Sequence, residues 1–106
     1  MGKEELSSPR NLRQFIEYQK DSIVSKTLVK GEKGSITLFS FDEDQGLSKH
    51  SVPSDAFVYL IEGEGEFNIG DKVFLLTEGE SIIMPAGVSH SVKARKRFKM
   101  LLVIVS

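Results

Sequence analysis

The sequence contains no cysteine and no tryptophan, and its 106 residues include only two histidines and three prolines. The lack of cysteine excludes disulfides, thiolate metal ligands and a cysteine nucleophile. Lysine and arginine total 14 against 15 for aspartate and glutamate, so the formal net charge of −1 predicts no steering of polyanions. No apolar run is long enough to cross a bilayer, and no basic and hydrophobic leader opens the chain. We therefore expect a cytoplasmic protein that binds neither nucleic acid nor membranes.

The length suits one compact core preceded by a short extra segment. Leu12, Phe15 and Ile16 recur at helical spacing and predict a short helical turn. From residue 21 onward, β-branched and aromatic runs alternate with turn residues about every 8 to 12 positions, which indicates a sandwich or barrel of about nine short strands. The sequence thus predicts an N-terminal segment over residues 1–20 and an all-β domain over residues 21–106.

Two segments of the β domain are interpreted as connections. The sequence EGEG at Glu62–Gly65 lies between two apolar runs and predicts a reversal of the chain, because glycine adopts turn conformations at low cost. Residues 42–48 are acidic and contain a glycine, which is typical of a loop.

The most informative stretch is GESIIMPAGVSHSV, residues 79–92. An apolar strand ends at Pro85, because proline has a fixed φ and no N–H. Gly87 supplies the positive φ of a tight turn, and His90 opens the next strand. The spacing of Gly79, Pro85, Gly87 and His90 matches the second signature of the cupin superfamily.

The preceding stretch resembles the first cupin signature, in which a His-x-His pair is followed by a glutamate. His50 stands at the first histidine position, whereas Val52 occupies the second and Ala56 or Phe57 occupies the glutamate position. The resemblance covers most of the predicted β domain. It implies an all-β fold of the jelly-roll kind, the double-stranded β-helix of cupins. The short helical turn predicted from the apolar spacing precedes this domain.

The resemblance also implies a metal site. Cupins that bind a metal use two histidines and a glutamate of the first signature and one histidine of the second, of which His50 and His90 remain here. Asp55 is a candidate third ligand that would complete a facial triad for one divalent transition metal, Fe, Mn, Ni, Cu or Zn. Alternatively, Asp55 bonds to backbone N–H groups of a turn, and the two imidazoles contact a ligand, the backbone or each other.

Side-chain alternation predicts the lining of the barrel lumen. Residues that share a face with the two histidines are expected to form a mostly apolar pocket for a small molecule. The predicted pocket residues are Val52, Ala56, Val58, Leu60, Val92 and Met100.

The same alternation turns Phe57, Tyr59 and Ile61 outward. An exposed apolar row of this kind on a monomer is unfavourable. We expect a second subunit to cover it in a homodimer, while coverage by the chain's own N-terminal segment is the alternative.

Three functions are compatible with these residues. The favoured one is a small cupin that binds a small molecule in its lumen, with or without a weakly held divalent metal. The second is a metalloenzyme of the isomerase, dioxygenase or decarboxylase kind, whose ligand set is completed by water and substrate. The third is a scaffold for protein interactions. The sequence does not allow any residue to be identified as a catalytic group, and the fold alone does not define an activity.

Overall fold

The computed structural model describes residues 7–106, which form eight strands and one short 3-10 turn. The strands are β1 (Ile23–Gly31), β2 (Gly34–Phe41), β3 (Gly46–His50), β4 (Asp55–Ile69), β5 (Lys72–Thr77), β6 (Ser81–Met84), β7 (His90–Lys93) and β8 (Phe98–Val105). The 3-10 turn spans Leu12–Gln14, where the apolar spacing predicted a helical turn. Residues 1–6 of the predicted N-terminal segment lie outside the described residues. Within residues 7–106, no helix has the length and apolar character needed to span a membrane.

The strands form the two curled antiparallel sheets of a jelly roll, and the predicted fold is confirmed. The first sheet has the order β1-β2-β8-β4-β6, and the second has the order β5-β4-β7-β3. Strand β4 belongs to both sheets: its first half pairs with β6 and β8, and its second half pairs with β5 and β7. The fold therefore closes around one long shared strand.

The predicted chain reversal at Glu62–Gly65 is wrong. The chain continues through this segment as β4, and its register with β8 shifts between Leu60 and Glu62. Gly63 has a φ of 85° and still pairs with Phe98. A glycine of positive φ beside such an irregularity bends a strand and increases its twist, so this segment carries β4 from the first sheet into the second.

The predicted loop over residues 42–48 is shorter than expected, because β3 begins at Gly46. All five residues of β3 are exposed, and among the described strands β3 pairs only with β7. A strand with no buried face has no alternation of apolar and polar residues, which is the signal by which a strand is identified from sequence.

The core between the sheets contains three phenylalanine rings in contact, of which two are stacked. Phe98 lies 4.6 Å from Phe41, measured between ring centroids, and the two planes differ by 11°. Phe67 lies 6.0 Å from Phe98, and all three side chains are fully buried. Ala56, Val58 and Leu60 of β4 also point into this core, as their alternation predicted.

Residues 11–20, here called the strap, cross the outer face of the first sheet. Ile16 of the strap is fully buried and packs with Leu38 and Ile61. Three alternate strap carbonyls accept hydrogen bonds from side chains of the sheet: Arg13 from Lys99, Phe15 from Lys26, and Glu17 from Ser40. At Ile61, therefore, the chain's own N-terminal segment covers the outward row, whereas Phe57 and Tyr59 remain exposed.

A short hydrogen bond between Tyr18 and Glu62 joins the strap to β4, and it predicts a pH dependence. The Tyr18 hydroxyl donates to Glu62 Oε2 at 2.6 Å, and this bond lowers the pKa of Glu62 below its ordinary value of 4.5, more than partial burial raises it. A lowered folded pKa stabilises the protein above about pH 4.5, and the stabilisation disappears as the pH falls through the folded pKa. Tyr18→Phe should therefore cost about 1 kcal/mol or more at pH 7 and less at pH 3.

Urea unfolding at pH 7, 5, 4 and 3 measures this difference. Tyr59→Phe is the matched control, because the Tyr59 ring is exposed on the same strand as Glu62. A constant difference between wild type and Tyr18→Phe across this pH range would contradict the role given to the bond.

Candidate functional site

The structure brings together the two histidines predicted to share the lumen. His50 of β3 and His90 of β7 are register partners, and their ring centroids lie 4.4 Å apart with the planes inclined at 65°. Gly87 has a φ of 77°, as the predicted tight turn requires, and its N–H donates to the Val52 carbonyl at 2.8 Å. This bond ties the turn before His90 to the segment after His50, and so it holds the two rings side by side.

Each imidazole uses its Nδ1 nitrogen in a bond to nearby backbone. Nδ1 lies 2.8 Å from the Ser48 carbonyl oxygen in His50 and 3.3 Å from the Val88 carbonyl oxygen in His90. A carbonyl oxygen only accepts, so Nδ1 carries the proton in both rings. In a neutral imidazole the other nitrogen, Nε2, then holds a lone pair. The pair therefore presents two hydrogen-bond acceptors, or two metal ligands.

Both rings line a small cavity of about 80 Å³ inside the barrel. His90 is only 4% exposed, while His50 lies on the exposed strand β3 and borders solvent. The other lining residues are all apolar: Phe39, Leu47, Val52, Ala56, Met84, Val92, Met100, Leu102 and Ile104. Apart from the two imidazoles and the thioethers of Met84 and Met100, the lining side chains are all hydrocarbon.

The predicted pocket residues divide into two groups. Val52, Ala56, Val92 and Met100 line the cavity, as the alternation of side chains indicated. Val58 and Leu60 share the inward face of β4 with Ala56, but they are fully buried in the core and are not among the lining residues.

The sequence interpretation missed five lining residues: Phe39, Leu47, Met84, Leu102 and Ile104. Alternation along β8 could have identified two of them, because Leu102 and Ile104 share a face with Met100. Met84 lies opposite Ala56 only because β6 pairs with the first half of β4. That pairing is long-range and has no local sequence signal.

The candidate triad of His50, His90 and Asp55 is not formed in this structure. Asp55 is exposed, and its carboxylate accepts a hydrogen bond from the Ala86 N–H at 2.8 Å. Its neighbour Ala56 lines the cavity, and alternation along β4 turns Asp55 the opposite way. Across residues 7–106, no three histidine, aspartate or glutamate side chains are placed to hold one metal ion.

The donors that remain do not fit the divalent site that the cupin resemblance implies. Among residues 7–106, the cavity is lined by two imidazoles and no carboxylate, which is one imidazole and one carboxylate fewer than the implied set. Divalent transition metals in proteins usually have three or four protein ligands.

Comparison with known proteins agrees with the architecture. The family model described as "Cupin domain" matches residues 37–105. A conserved protein of unknown function from Streptococcus pyogenes is 37% identical, with a TM-score of 0.90 over 94% of this chain and 88% of that one. A cupin superfamily protein from Desulfitobacterium hafniense is 26% identical, with a TM-score of 0.88 over 92% and 90% of the two chains.

A cupin 2 conserved barrel domain protein from Leptotrichia buccalis is 39% identical, with a TM-score of 0.88. The alignment covers 92% of this chain but only 47% of that protein, so this chain corresponds to about half of the Leptotrichia protein. Among curated proteins, none matches this sequence.

Proposed function

This chain belongs to the cupin superfamily, and we propose that its lumen binds a small uncharged molecule that donates a hydrogen bond to the histidine pair. One observation carries the proposal: of the side chains lining the cavity, only His50 and His90 can make strong hydrogen bonds. A mostly apolar cavity with a few convergent polar atoms is the usual form of a small-molecule site. Because no other acid, base or nucleophile is among the lining residues, the proposal is binding without turnover.

The cavity restricts the chemistry of this ligand. With Nδ1 of each ring directed at a carbonyl, the Nε2 atoms are acceptors, so the ligand should carry a hydroxyl or another donor. A carboxylate has lone pairs but no donor, so the Nε2 lone pairs of the neutral rings would repel it. A volume of about 80 Å³ holds only a few heavy atoms. A short-chain alcohol has the required donor, the apolar body and the size.

1-Propanol is a suitable probe, and propanoate is its matched control, because at neutral pH propanoate has a similar body but no donor. Titration with 1-propanol is expected to give saturable shifts of the Met84 and Met100 methyl NMR resonances, while propanoate gives none. His90→Leu and His50→Leu should each weaken 1-propanol binding at least ten-fold. Because His50 lies on the exposed strand β3, His50→Leu still tests the proposal if His90→Leu does not fold. Equal binding of propanoate, or unchanged binding in both variants, would refute the proposal.

We also propose that two copies of this chain associate through the outer face of the first sheet. Strand registers align five apolar residues in one row across all five strands: Val29, Ile36, Val103, Phe57 and Ile83. With strands about 4.8 Å apart, the row is about 20 Å long. Ile83, at its end, is 58% exposed. A patch of this kind commonly marks an interaction surface.

A second copy suits this row because the row is apolar along its whole length. In a two-fold interface the same patch meets itself. If the two-fold axis runs along the row, each residue faces its own counterpart; if the axis crosses the row at Val103, Ile36 faces Phe57 and Val29 faces Ile83. Apolar side chains meet apolar side chains in both arrangements.

Ile83→Glu is expected to convert the dimer to a monomer, because it places a carboxylate in the desolvated row. Light scattering after size exclusion at about 50 μM protein would measure the mass. Val73→Glu is the control, since Val73 is 65% exposed but lies on β5 of the second sheet. A monomeric wild type, or dissociation by Val73→Glu and not by Ile83→Glu, would contradict this interface.

A further inference from the structure

A second concave site lies on the outer face of the second sheet, away from the lumen. It is a groove of about 270 Å³, here called the outer groove, and its charged and polar lining residues include Lys49, Asn68, Asp71, Lys72, Ser89 and Ser91. We propose that the outer groove binds a small phosphate ester through its two lysines and the polar side chains between them. This inference goes beyond the ligand of the lumen and does not depend on it.

Strand alternation places the floor of the outer groove on the solvent side of the sheet. Phe67 of β4 and Val92 of β7 are buried in the core. Their neighbours Asn68 and Ser91 therefore point to the opposite face. Asn68 and Ser91 are also register partners, and on its other side Asn68 pairs with Val73 of β5. The floor is thus built on three adjacent strands, which position side chains more precisely than a loop does.

The charge of the outer groove favours an anion. Lys49 lies on β3 and Lys72 begins β5, so the two lysines come from opposite edges of the second sheet, about 14 Å apart across three strand spacings. Their flexible stems allow both ammonium groups to approach a ligand over the floor. Within residues 7–106, neither ammonium group has an ion-pair or hydrogen-bond partner. Two lysines against Asp71 leave the described lining with an excess of positive charge.

Asn68 and Ser91 supply neutral hydrogen-bond donors between the lysines. The Asn68 Nδ2 atom donates to Ser91 Oγ at 3.1 Å. Because this bond uses the serine oxygen as an acceptor, the Ser91 hydroxyl keeps its own proton to donate. The Ser91 hydroxyl is also polarised by the amide bond, which strengthens it as a donor. The second N–H of the Asn68 amide and the Ser89 hydroxyl are further donors at the groove. The floor therefore suits a ligand that carries several acceptor oxygens.

The number of donors favours a phosphoryl group over a carboxylate. A carboxylate has two oxygens, whereas a phosphate monoester has three terminal oxygens and a charge of about −1.5 to −2 at pH 7. Lysine binds phosphate as a compact point charge. A volume of about 270 Å³ corresponds to about nine water molecules, so a short organic body fits beside the phosphoryl group. Asp71 is an acceptor for a hydroxyl of that body, and its negative charge disfavours a larger polyanion. A small phosphorylated alcohol meets these requirements.

The outer groove and the lumen cavity can be tested separately, although His90 borders both. Of residues 7–106, His50 lines the lumen cavity and not the outer groove, and Lys72 lines the outer groove and not the lumen cavity. His50→Leu should therefore weaken 1-propanol binding and leave binding of the phosphate ester unchanged, whereas Lys72→Gln should have the reverse effect. These two variants separate failure of one proposal from failure of the other.

Titration with glycerol 3-phosphate, followed by the backbone amide NMR resonances of Asn68 and Ser91, tests the proposal. Wild type is expected to show saturable shifts, and acetate should bind more weakly. Lys49→Gln and Lys72→Gln should each weaken binding about five-fold, which is the upper effect of one exposed ion pair. Lys30→Gln is the matched control, because Lys30 is exposed on β1 of the first sheet, and it should leave the affinity unchanged.

Asn68→Asp provides a second test that does not involve the lysines. The substitution keeps the shape of the floor and places a carboxylate under the phosphoryl group, so it should abolish the saturable shifts, while circular dichroism verifies the fold. Three results would overturn the inference: no saturable shift in the wild type, a loss of affinity in Lys30→Gln equal to that in Lys49→Gln, or acetate binding as tight as that of glycerol 3-phosphate.

Discussion

Replacing Phe98 with alanine is expected to lower the free energy of unfolding by about 3–5 kcal/mol. Phe98 is fully buried, lies 4.6 Å from Phe41 and 6.0 Å from Phe67 between ring centroids, and thus joins β8 to both halves of the core. Removing its ring leaves a cavity between the two sheets that rigid strands cannot collapse to fill. The free energy of unfolding of a small domain is only about 5–15 kcal/mol in total. The variant should therefore be close to unfolding at room temperature.

Phe74→Ala is the control for this substitution. Phe74 is also an aromatic residue of a strand, but it is 39% exposed on β5. Phe74→Ala should lower the free energy of unfolding by less than half as much as Phe98→Ala, because less apolar surface returns to water. Urea unfolding followed by circular dichroism measures both values. Similar losses for the two variants would show that Phe98 does not anchor the core.

Gly63→Ala is expected to lower the free energy of unfolding by at least about 3 kcal/mol, because two destabilising effects add. Gly63 has a φ of 85°, a conformation that costs an L-residue about 1–2 kcal/mol. In addition, a Cβ at this position would lie 2.1 Å from the carbonyl oxygen of Arg97 and 2.9 Å from Cα of Phe98. Since both contacts are backbone atoms of the segment entering β8, the strands must separate to admit the methyl group.

Gly79→Ala and Gly87→Ala isolate the steric part of this effect. Both glycines have a positive φ, 88° and 77°, but a Cβ at either position meets no atom within 4 Å. These variants should lose only the backbone contribution of about 1–2 kcal/mol. If Gly63→Ala were no more destabilising than these two, the close approach of β4 and β8 would not be a constraint on the fold.

Gly63 also matters for the site, although it lies outside the cavity lining. The bend at Gly63 carries the second half of β4 into the second sheet, where Ile69 pairs with His90. A displaced β4 should therefore disturb β7 and the histidine pair. We expect Gly63→Ala to weaken binding in the lumen, whereas Gly79→Ala leaves it unchanged, and the 1-propanol titration measures both.

Local patterns in the sequence predicted the parts of this protein that depend on a few neighbouring residues. The Pro85–Gly87 turn follows from the missing N–H of proline and the freedom of glycine, and it places His90 at the start of a strand. The alternation of Ala56, Val58 and Leu60 defines the inward face of β4, because successive side chains of a strand point to opposite sides. The jelly-roll architecture follows from these patterns together with the resemblance to cupins.

One pattern that depends on a distant partner was misread, and a second was left open between two interpretations. The EGEG segment has the composition of a turn, but pairing of Gly63 with Phe98 keeps it within β4. Asp55 lies one position from the metal ligand of the family, but its bond to Ala86 directs it to the turn after β6. In both cases the partner is more than thirty residues away, so composition alone could not distinguish a bend from a reversal or a turn residue from a ligand.

The sequence by itself determined the fold class, the presence of the two imidazoles and the lack of the family's other two metal ligands. These features depend on residue identity and short spacing. Only the tertiary structure decided which side chains share the cavity. Met84 and Met100 are sixteen positions apart and join the histidines only because β6 and β8 flank the same half of β4. The order of strands, set by pairing and core packing, thus places two ordinary apolar residues beside the histidine pair.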